Sequence, residues 1–238
     1  MQQNYDRVRA LLTACCRRSG RDPASVSLLA VSKTHPADAV LGLAALGQRM
    51  FGENYLQEAL DKMRACEAER PELSLEWHFI GPVQSNKTRP IAEHFAWVHS
   101  VDREKIAHRL SEQRPAGRPP LNVCLQVNVS GEGSKSGCAP GEVPALARKL
   151  AALPGLTLRG LMAIPEPTDD MALQRARFAE LRRLLEQLRS DGLEVDTLSM
   201  GMSADLEAAI AEGATIVRVG TALFGPRDYG PRTDGRRS

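Results

Sequence analysis

No stretch of the sequence approaches the roughly 20 consecutive apolar residues that a helix needs to span a bilayer. The first residues carry Asp6, Arg7 and Arg9, where a secretory signal peptide would need an apolar run. The formal net charge is only +2, so the composition does not point to nucleic acid or an anionic membrane as the main partner. We therefore expect a cytoplasmic protein with no nucleic-acid or membrane partner.

The five cysteines form no C-x-x-C pair and show no zinc-like spacing with histidine. Scattered thiols in odd number are typical of reduced cysteines in a cytoplasmic protein. No G-x-G-x-x-G follows the first apolar strand, which argues against a dinucleotide-binding fold. These absences predict neither a metal site nor a disulfide framework.

The chain does show a nearly continuous alternation of short apolar runs and longer amphipathic stretches. The pattern predicts a leading helix over residues 4–18 and then eight strands. The strands are expected at 27–32, 49–52, 75–81, 96–101, 120–129, 156–164, 195–200 and 215–220. The helices between them are expected at 36–46, 56–69, 87–94, after an Asp102 cap, 142–152, 171–190 and 204–212, with a turn or brief helix in "TALFG".

Strands that alternate with helices indicate an α/β protein with a parallel sheet, because parallel neighbours need crossover connections. Eight units of about 25 to 30 residues fit a closed (β/α)8 TIM barrel. An open doubly wound sheet is the alternative. We predict one barrel domain over residues 1–225 with an extra N-terminal helix, followed by a short, basic, flexible tail over residues 226–238.

Two neighbouring loops at the expected working face of this barrel are rich in glycine and hydroxyl groups. "SMGMSAD" after strand seven contains Ser199, Gly201 and Ser203, and "RVGTALFG" at strand eight contains Gly220 and Thr221. Glycines let backbone N–H groups approach an anion, and hydroxyls add donors. A helix cap and ordinary turns would explain either loop alone. Because both follow adjacent strands, together they predict a phosphate site.

The first strand, in "VSLLAVSKTHP", ends on Lys33, and a lysine at a strand end is usually a solvated charge. In a closed barrel, however, strand one lies beside strand eight, which places Lys33 next to both loops. Lysine forms a Schiff base with a carbonyl, so an amine beside a phosphate site suits a phosphorylated aldehyde. Pyridoxal 5′-phosphate (PLP) has both groups, and an aldolase acting on a phosphorylated sugar is the alternative. Arg218 in strand eight would face the pyridine nitrogen if it points to the barrel axis, and would leave that nitrogen unprotonated and the ring a weak electron sink.

Six segments carry a resemblance to a known family. "LLAVSKTHP", "FGENYLQEA", "WHFIGPVQSNK", "VNVSGEGSKSG", "LRGLMAIP" and "LSMGMSADLEAAIAEGATIVRVGTALFG" resemble, in order, the YggS/PROSC family of PLP homeostasis proteins. That family is similar to the barrel of bacterial alanine racemase, the fold-type III of PLP proteins. The resemblance implies that Lys33 holds PLP as an internal aldimine and that Arg218 faces the pyridine nitrogen.

The resemblance also implies a set of cofactor contacts. Ser199, Gly220 and Thr221 are expected at the phosphate, together with backbone N–H groups of the loop Met200, Gly201, Met202 and Ser203. Asn54 and His78, at the ends of strands two and three, are expected to line the cofactor face. Lys135 in "GSKSG" is either a second contact for the aldehyde or a solvated loop lysine.

Carriage and catalysis make different demands on such a site. Racemisation needs acid–base groups on both faces of a planar intermediate, and the alanine racemases use a lysine and a tyrosine from a partner subunit. Here the barrel takes up nearly the whole chain, and of the three tyrosines only Tyr55 lies at the rim. We therefore predict a PLP-binding protein that carries or buffers the cofactor for apo-enzymes, maintains vitamin B6 and amino-acid homeostasis and has no strong catalytic activity. A small fold-type III amino-acid racemase is the alternative, and the missing second domain favours a monomer.

Overall fold

The pairing of the last strand with the first closes the sheet into a barrel. The computed structural model describes residues 1–132 and 136–225. Its strands are β1 Ser27–Val31, β2 Met50–Glu53, β3 Glu76–Phe79, β4 Trp97–Val101, β5 Leu121–Gln126, β6 Leu156–Met162, β7 Thr197–Ser199 and β8 Ile216–Val219. All neighbours are parallel, the order around the barrel is the order in sequence, and β8 pairs with β1. The predicted (β/α)8 barrel is confirmed, and the open doubly wound sheet is excluded.

The helices lie outside the strands. They are α1 Gln2–Arg18, α2 Ala37–Ala45, α3 Leu56–Glu69, α4 Thr88–His94, α5 Glu104–Glu112, α6 Val143–Ala151, α7 Met171–Ser190, α8 Leu206–Ala211 and α9 Thr221–Phe224. Single 3-10 turns cover Pro23–Ser25 and Pro140–Glu142. The leading helix is thus the extra element that was predicted. Among the helices of residues 1–132 and 136–225, none combines the length and the apolar character that crossing a membrane requires.

One predicted cap is wrong. Asp102 was expected to cap the helix after strand four, but Arg103, in an extended conformation, occupies the cap position of α5 and makes no capping hydrogen bond through its side chain. The Asp102 carboxylate instead accepts a hydrogen bond of 2.8 Å from Nη1 of Arg103. Asp102 thus lies one residue before the cap position, and its carboxylate pairs with Arg103 and not with the first helical N–H groups.

The apolar core has two parts because successive side chains of a strand face opposite sides of the sheet. Leu28 and Ala30 of β1 pack outward in the large cluster between strands and helices, whereas Leu29 points into the barrel. Inside, Leu29 joins a small apolar cluster that also contains Trp97, Cys124, Met162 and Ile216. Parallel strands buried on both faces explain why the strand segments read as continuous apolar runs.

The register between β1 and β8 positions the candidate site. Leu29 lies opposite Arg218 and Ala30 opposite Val219, so the chain leaves both strands at the same level. The approach is close just beyond them, since a Cβ on Gly220 would lie 3.2 Å from the carbonyl oxygen of Val31. Lys33 therefore follows β1 directly beside the loop after β8, as barrel closure predicts. The proposed domain boundary at residue 225 stays a prediction, because residues 226–238 lie outside the described part of the chain.

Candidate functional site

A cavity of about 330 Å³ lies at the carboxyl end of the strands. Its wall is formed by Val31, Lys33, His35, Asn54, Ile80, Ile164, Met202, Ser203, Ala204, Arg218, Gly220 and Thr221. The predicted site residues among them are Lys33, Asn54, Met202, Ser203, Arg218, Gly220 and Thr221. The amine that follows β1 and the hydroxyl groups that follow β7 and β8 therefore share one cavity.

The loops after β7 and β8 contribute donors to this wall. Ser203 and Thr221 are exposed, and neither hydroxyl makes a hydrogen bond to another described residue, so both are available as donors. Gly201 has a φ of 92°, and a Cβ there would come within 2.5 Å of Cβ of Ala209. The sharp turn after β7 therefore requires glycine, and it turns the chain so that Ser203 faces the cavity.

Not every backbone N–H of the β7 loop is available for an anion. The Met200 N–H donates to the Ile216 carbonyl at 3.1 Å, within the sheet. The Met202 N–H donates to Oδ1 of Asp205 at 2.6 Å. Two of the N–H groups expected at a phosphate are thus used inside the protein, and the Ser203 and Thr221 groups remain for a ligand.

Several predicted contacts lie away from the cavity wall. Met200 and Gly201 are buried beneath the loop, while Ser199 and His78 point into the barrel one layer below the mouth. Alternation of side chains along β7 and β3 directs Ser199 and His78 to the axis, and the stagger of the strands places them below the top layer. The structure does not bring these four residues to the cavity wall, and a role for them in direct cofactor contact stays a prediction. Lys135 lies outside the described residues.

Arg218 forms the floor of the cavity and is held rigidly. Nη1 donates to the carbonyl oxygen of Ser199 at 2.6 Å and to its Oγ at 2.7 Å, and Nη2 donates to the Ala163 carbonyl at 2.8 Å. Burial lowers the pKa of the guanidinium to about 10, so it remains charged at neutral pH. Three hydrogen bonds fix its plane and leave its other N–H groups for a ligand.

A buried chain of hydrogen bonds runs from Arg218 through the barrel to the opposite end. Ser199 Oγ lies 2.7 Å from Nδ1 of His99. His99 Nε2 lies 2.8 Å from Nδ1 of His78, and His78 Nε2 lies 2.8 Å from Oε1 of Glu76. Glu76 is the first residue of β3, so the chain spans the barrel from the mouth to the amino end of the strands.

The Glu76 carboxylate sets the direction of the bonds in this chain, because it can only accept. His78 therefore carries a proton on Nε2 and donates it to Glu76. Both rings are neutral, since burial lowers their pKa values, so Nδ1 of His78 accepts from Nε2 of His99. Nδ1 of His99 then accepts from the Ser199 hydroxyl, whose oxygen accepts from Arg218.

The surroundings of the two rings favour these neutral forms. Burial lowers the pKa of His78, against the raising effect of Glu76. Burial also lowers the pKa of His99 well below its usual value, and the charge of Arg218 acts in the same direction. The hydrogen bond from His78 lowers the pKa of Glu76, so the carboxylate is ionised at neutral pH. The chain of hydrogen bonds therefore joins the buried Arg218 cation to the half-exposed Glu76 anion through neutral groups.

Sequence reasoning missed His99 and Glu76. The available signal was a polar residue at an inward position of an otherwise apolar strand, in "EWHF" and "WVHSV". The register places His78 opposite Trp97, with His99 two residues further along β4, so the rings meet on one side of the barrel axis. Contact between the two rings depends on the stagger between β3 and β4, and the residue pattern of a single strand gives no information about that stagger.

A family profile, a sequence relative and a solved structure all match nearly the whole of this chain. The profile of the family described as "Alanine racemase, N-terminal domain" matches residues 3–228. The chain is 68% identical over 228 residues, 96% of each chain, to the pyridoxal phosphate homeostasis protein of Pseudomonas aeruginosa. It is similar to the structure of PipY from Synechococcus elongatus with PLP bound, with 41% identity and a TM-score of 0.77, covering 91% of this chain and 100% of PipY.

A more distant likeness concerns the fold alone. The alanine racemase of Corynebacterium glutamicum shares 20% identity, with a TM-score of 0.68. The match covers 95% of this chain and 63% of the racemase. The racemase therefore contains the same barrel together with a large part that has no counterpart in this match.

The buried histidines predict that acidification destabilises the protein from about pH 6.5 downward. Both have a folded-state pKa lowered by burial, so below the ordinary value of about 6.5 the unfolded chain binds more protons than the folded one. Their contribution to stability is complete above that pH and is lost as the pH falls towards their folded-state pKa values. We expect the melting temperature to decrease between pH 7 and pH 5, measured by differential scanning fluorimetry.

A double variant, His78→Gln with His99→Gln, isolates this effect. It should melt at a lower temperature at pH 7 but depend less on pH over the same range. His108→Gln, at an exposed position, is the matched control and should keep the parental slope. The Glu53 carboxyl, whose pKa burial raises, has the opposite pH dependence but is common to all three proteins. A double variant with the parental slope would contradict the assignment.

Proposed function

The chain belongs to the alanine racemase N-terminal domain family, and we propose that it binds PLP through Lys33 and carries or buffers this cofactor. Within the family it belongs to the pyridoxal phosphate homeostasis proteins, as its sequence segments predicted. The observation that carries the proposal is the shared cavity of Lys33, Ser203 and Thr221. An amine and a set of anion donors on one wall are what a phosphorylated aldehyde requires. We propose that vitamin B6 and amino-acid homeostasis follow from this carriage.

The residues present fit PLP in size and chemistry. A cavity of about 330 Å³ lies within the range of small-ligand sites. Val31, Ile80 and Ile164 provide apolar surface for an aromatic ring. Asn54 adds an amide to the same wall, and its Oδ1 is buried without a hydrogen-bond partner among the described residues.

Each residue then has a distinct task. Bound PLP supplies an aldehyde and an electron sink. Lys33 supplies the nucleophilic amine, and the Ser203 and Thr221 hydroxyls, with their backbone N–H groups, bind the phosphate. Gly220 has no side chain, so the phosphate can approach the backbone. Arg218 keeps its proton at neutral pH, so it would donate to the ring nitrogen of bound PLP and leave the electron sink weak.

This arrangement favours carriage over racemisation. A racemase needs acid–base groups on opposite faces of the ligand. Tyr55 is half exposed and is not part of the described cavity wall. His35 does lie on that wall, but it belongs to the same turn as Lys33 and stacks on Phe224 at 4.6 Å between ring centroids. We therefore propose that the protein binds PLP without turning over amino acids at enzymatic rates.

Incubation of the PLP-loaded protein with L-alanine separates the two functions. The carrier proposal predicts that D-alanine formation, followed by chiral chromatography, stays far below one turnover per second. Protein reduced with borohydride beforehand is the control. Turnover in the ordinary enzymatic range of about 1 to 1000 per second would establish a racemase instead, with His35 as the first candidate for the second base.

The cellular location, the oligomeric state, the recipients of PLP and the extent of the domain are also proposals. Cys15, Cys16, Cys66, Cys124 and Cys138 are all buried and unpaired, which suits the reducing cytoplasm. We propose a cytoplasmic monomer with apo-enzymes as recipients of PLP, and one functional domain over residues 1–225.

Lys33→Ala is expected to abolish covalent PLP binding. Lys33 belongs to neither apolar cluster of the core, so the fold should remain in the variant, as judged by circular dichroism. Absorbance of lysine-linked PLP, and its fixation by borohydride, should both disappear, whereas Lys149→Ala at a surface ion pair should behave like the parent. Retained reducible PLP would contradict the assignment, and peptide mass mapping would then show whether Lys135 holds it.

Thr221→Ala is expected to weaken PLP binding without abolishing it, because the Ser203 and backbone donors remain. Loss of one hydrogen bond to a charged group costs about 1.5–3 kcal/mol, which corresponds to an increase in Kd of at least about ten-fold. Thr221→Ser keeps the hydroxyl and should restore most of the affinity. Pyridoxal without the phosphate should bind the parent and Thr221→Ala equally, and an equal loss for both ligands would rule out a phosphate contact.

A further inference from the structure

The turn that carries Lys33 has an unusual backbone. Ser32 O accepts the His35 N–H at 3.1 Å, which makes residues 32–35 a tight turn with Lys33 at its second position. Thr34, the third residue, has a φ of 66°, in the left-handed region that glycine normally occupies. A β-branched residue stays in this conformation only where its surroundings enforce it, and such residues concentrate at functional sites.

The residue before Lys33 is held by a buried ion pair. Ser32 Oγ donates to Oε1 of Glu53 at 2.6 Å. Lys62 Nζ donates to the Ser32 carbonyl at 2.7 Å and to the same Glu53 oxygen at 2.6 Å. The Ser32 N–H donates to the Gly52 carbonyl at 3.0 Å. Every polar group of Ser32 is thus bonded to β2, α3 or its own turn.

The residue after Lys33 is held by the same helix. Oε1 of Glu58 accepts the Thr34 N–H at 2.6 Å. It also accepts a hydrogen bond from Lys62 Nζ at 3.0 Å. Glu58 and Lys62 lie four residues apart and therefore on one face of α3. A single ammonium group thereby ties together the contacts on both sides of Lys33.

The cluster is a poor source of stability. The side chains of Lys62 and Glu53 are 3% and 0% exposed, and lysine is seldom buried. Desolvation of a buried ion pair offsets most of its attraction. Oε2 of Glu53 is also buried without a hydrogen-bond partner in residues 1–132 and 136–225. A costly arrangement around a strained turn indicates a positional role.

We propose that Glu53, Glu58 and Lys62 are positioning residues for Lys33: they fix the backbone on both sides of it, so that its side chain enters the cavity in the geometry that binds PLP. The inference rests on the proposed role of Lys33. None of the three lines the cavity wall, and their hydrogen bonds to this turn go to Ser32 and Thr34. The segment "FGENYLQEALDK" thus supports the turn in "VSKTH".

Glu58 gives the sharpest test because its side chain is one-third exposed and its loss leaves no buried charge unpaired. Glu58→Ala removes the acceptor for Thr34, whereas the amide oxygen of Glu58→Gln can still accept that bond. Asp61→Ala is the matched control, since Asp61 is an exposed carboxylate of the same helix that pairs with Arg64. Two quantities are measured: the Kd for PLP, and the exchange rate of the Thr34 amide hydrogen in the protein without PLP, by NMR.

Glu58→Ala should raise the Kd about ten-fold and accelerate Thr34 exchange, while its melting temperature changes by no more than about 2 °C. Glu58→Gln should lie closer to the parent in both quantities, and Asp61→Ala should match the parent. Lys62→Met, which keeps the length of the side chain but removes its charge, should raise the Kd further. If Lys62→Met does not fold, the Glu58 pair decides.

Three results would overturn the inference: a parental Kd in Glu58→Ala, unchanged Thr34 exchange, or a loss of affinity that only follows a loss of melting temperature. Failure of the proposed function can be distinguished from failure of this inference. If the parent forms no reducible link at Lys33, the proposed function fails. Thr34 exchange then still shows whether Glu58 restrains the turn.

Discussion

The hydrogen bonds between β1 and β8 are the constraint on which the site depends. They join the first strand of the chain to the last, and residues 27–30 of β1 pair with residues 216–219 of β8. Without this closure, Lys33 and Thr221 would be on opposite edges of a sheet. With it, both leave their strands at the same level and face one cavity. The long separation in sequence between the amine and the phosphate donors is therefore a consequence of barrel topology.

The interior of the barrel is apolar in one part and contains buried polar and charged groups in another. An apolar cluster around Leu29 and Trp97 fills part of it, and a buried guanidinium lies below the mouth. Arg218 has no carboxylate within hydrogen-bond distance among the residues described, but the charge of nearby Asp205 favours its charged form, and its hydrogen bonds lead through Ser199 and the two histidines to Glu76. The hydrogen bonds made by Arg218, Ser199 and the two histidines lower the free-energy cost of burying these polar groups. The same bonds keep the cation in place for a ligand.

The local sequence pattern predicts the fold and much of the cavity wall, whereas it does not predict the residues that hold Lys33 and Arg218 in place. Alternating strands and helices predict the barrel, and closure then predicts that Lys33 meets Gly220 and Thr221. Which inward residue reaches the top layer depends on the stagger of the strands, so the sequence does not reveal that Ser199 holds Arg218, and contact of Ser199 with the ligand stays a prediction. Lys62 stands on the buried face of α3 with Ala59 and Cys66, and a lysine there was the one local sign of its role. Its partners come from the turn after β1 and from β2 and become evident only in three dimensions.

The one-directional hydrogen bonding inside the barrel also has an electrical consequence. Each donor group from Arg218 to His78 is oriented the same way, and the small dipoles of the hydroxyl and the two imidazoles therefore add along the axis. Their negative ends face Arg218 and their positive ends face Glu76, so they stabilise the cation below the mouth and the anion at the amino end of the strands. The attraction of a dianion to the mouth therefore comes from the charge of Arg218 itself, and the dipoles behind it keep that charge in place.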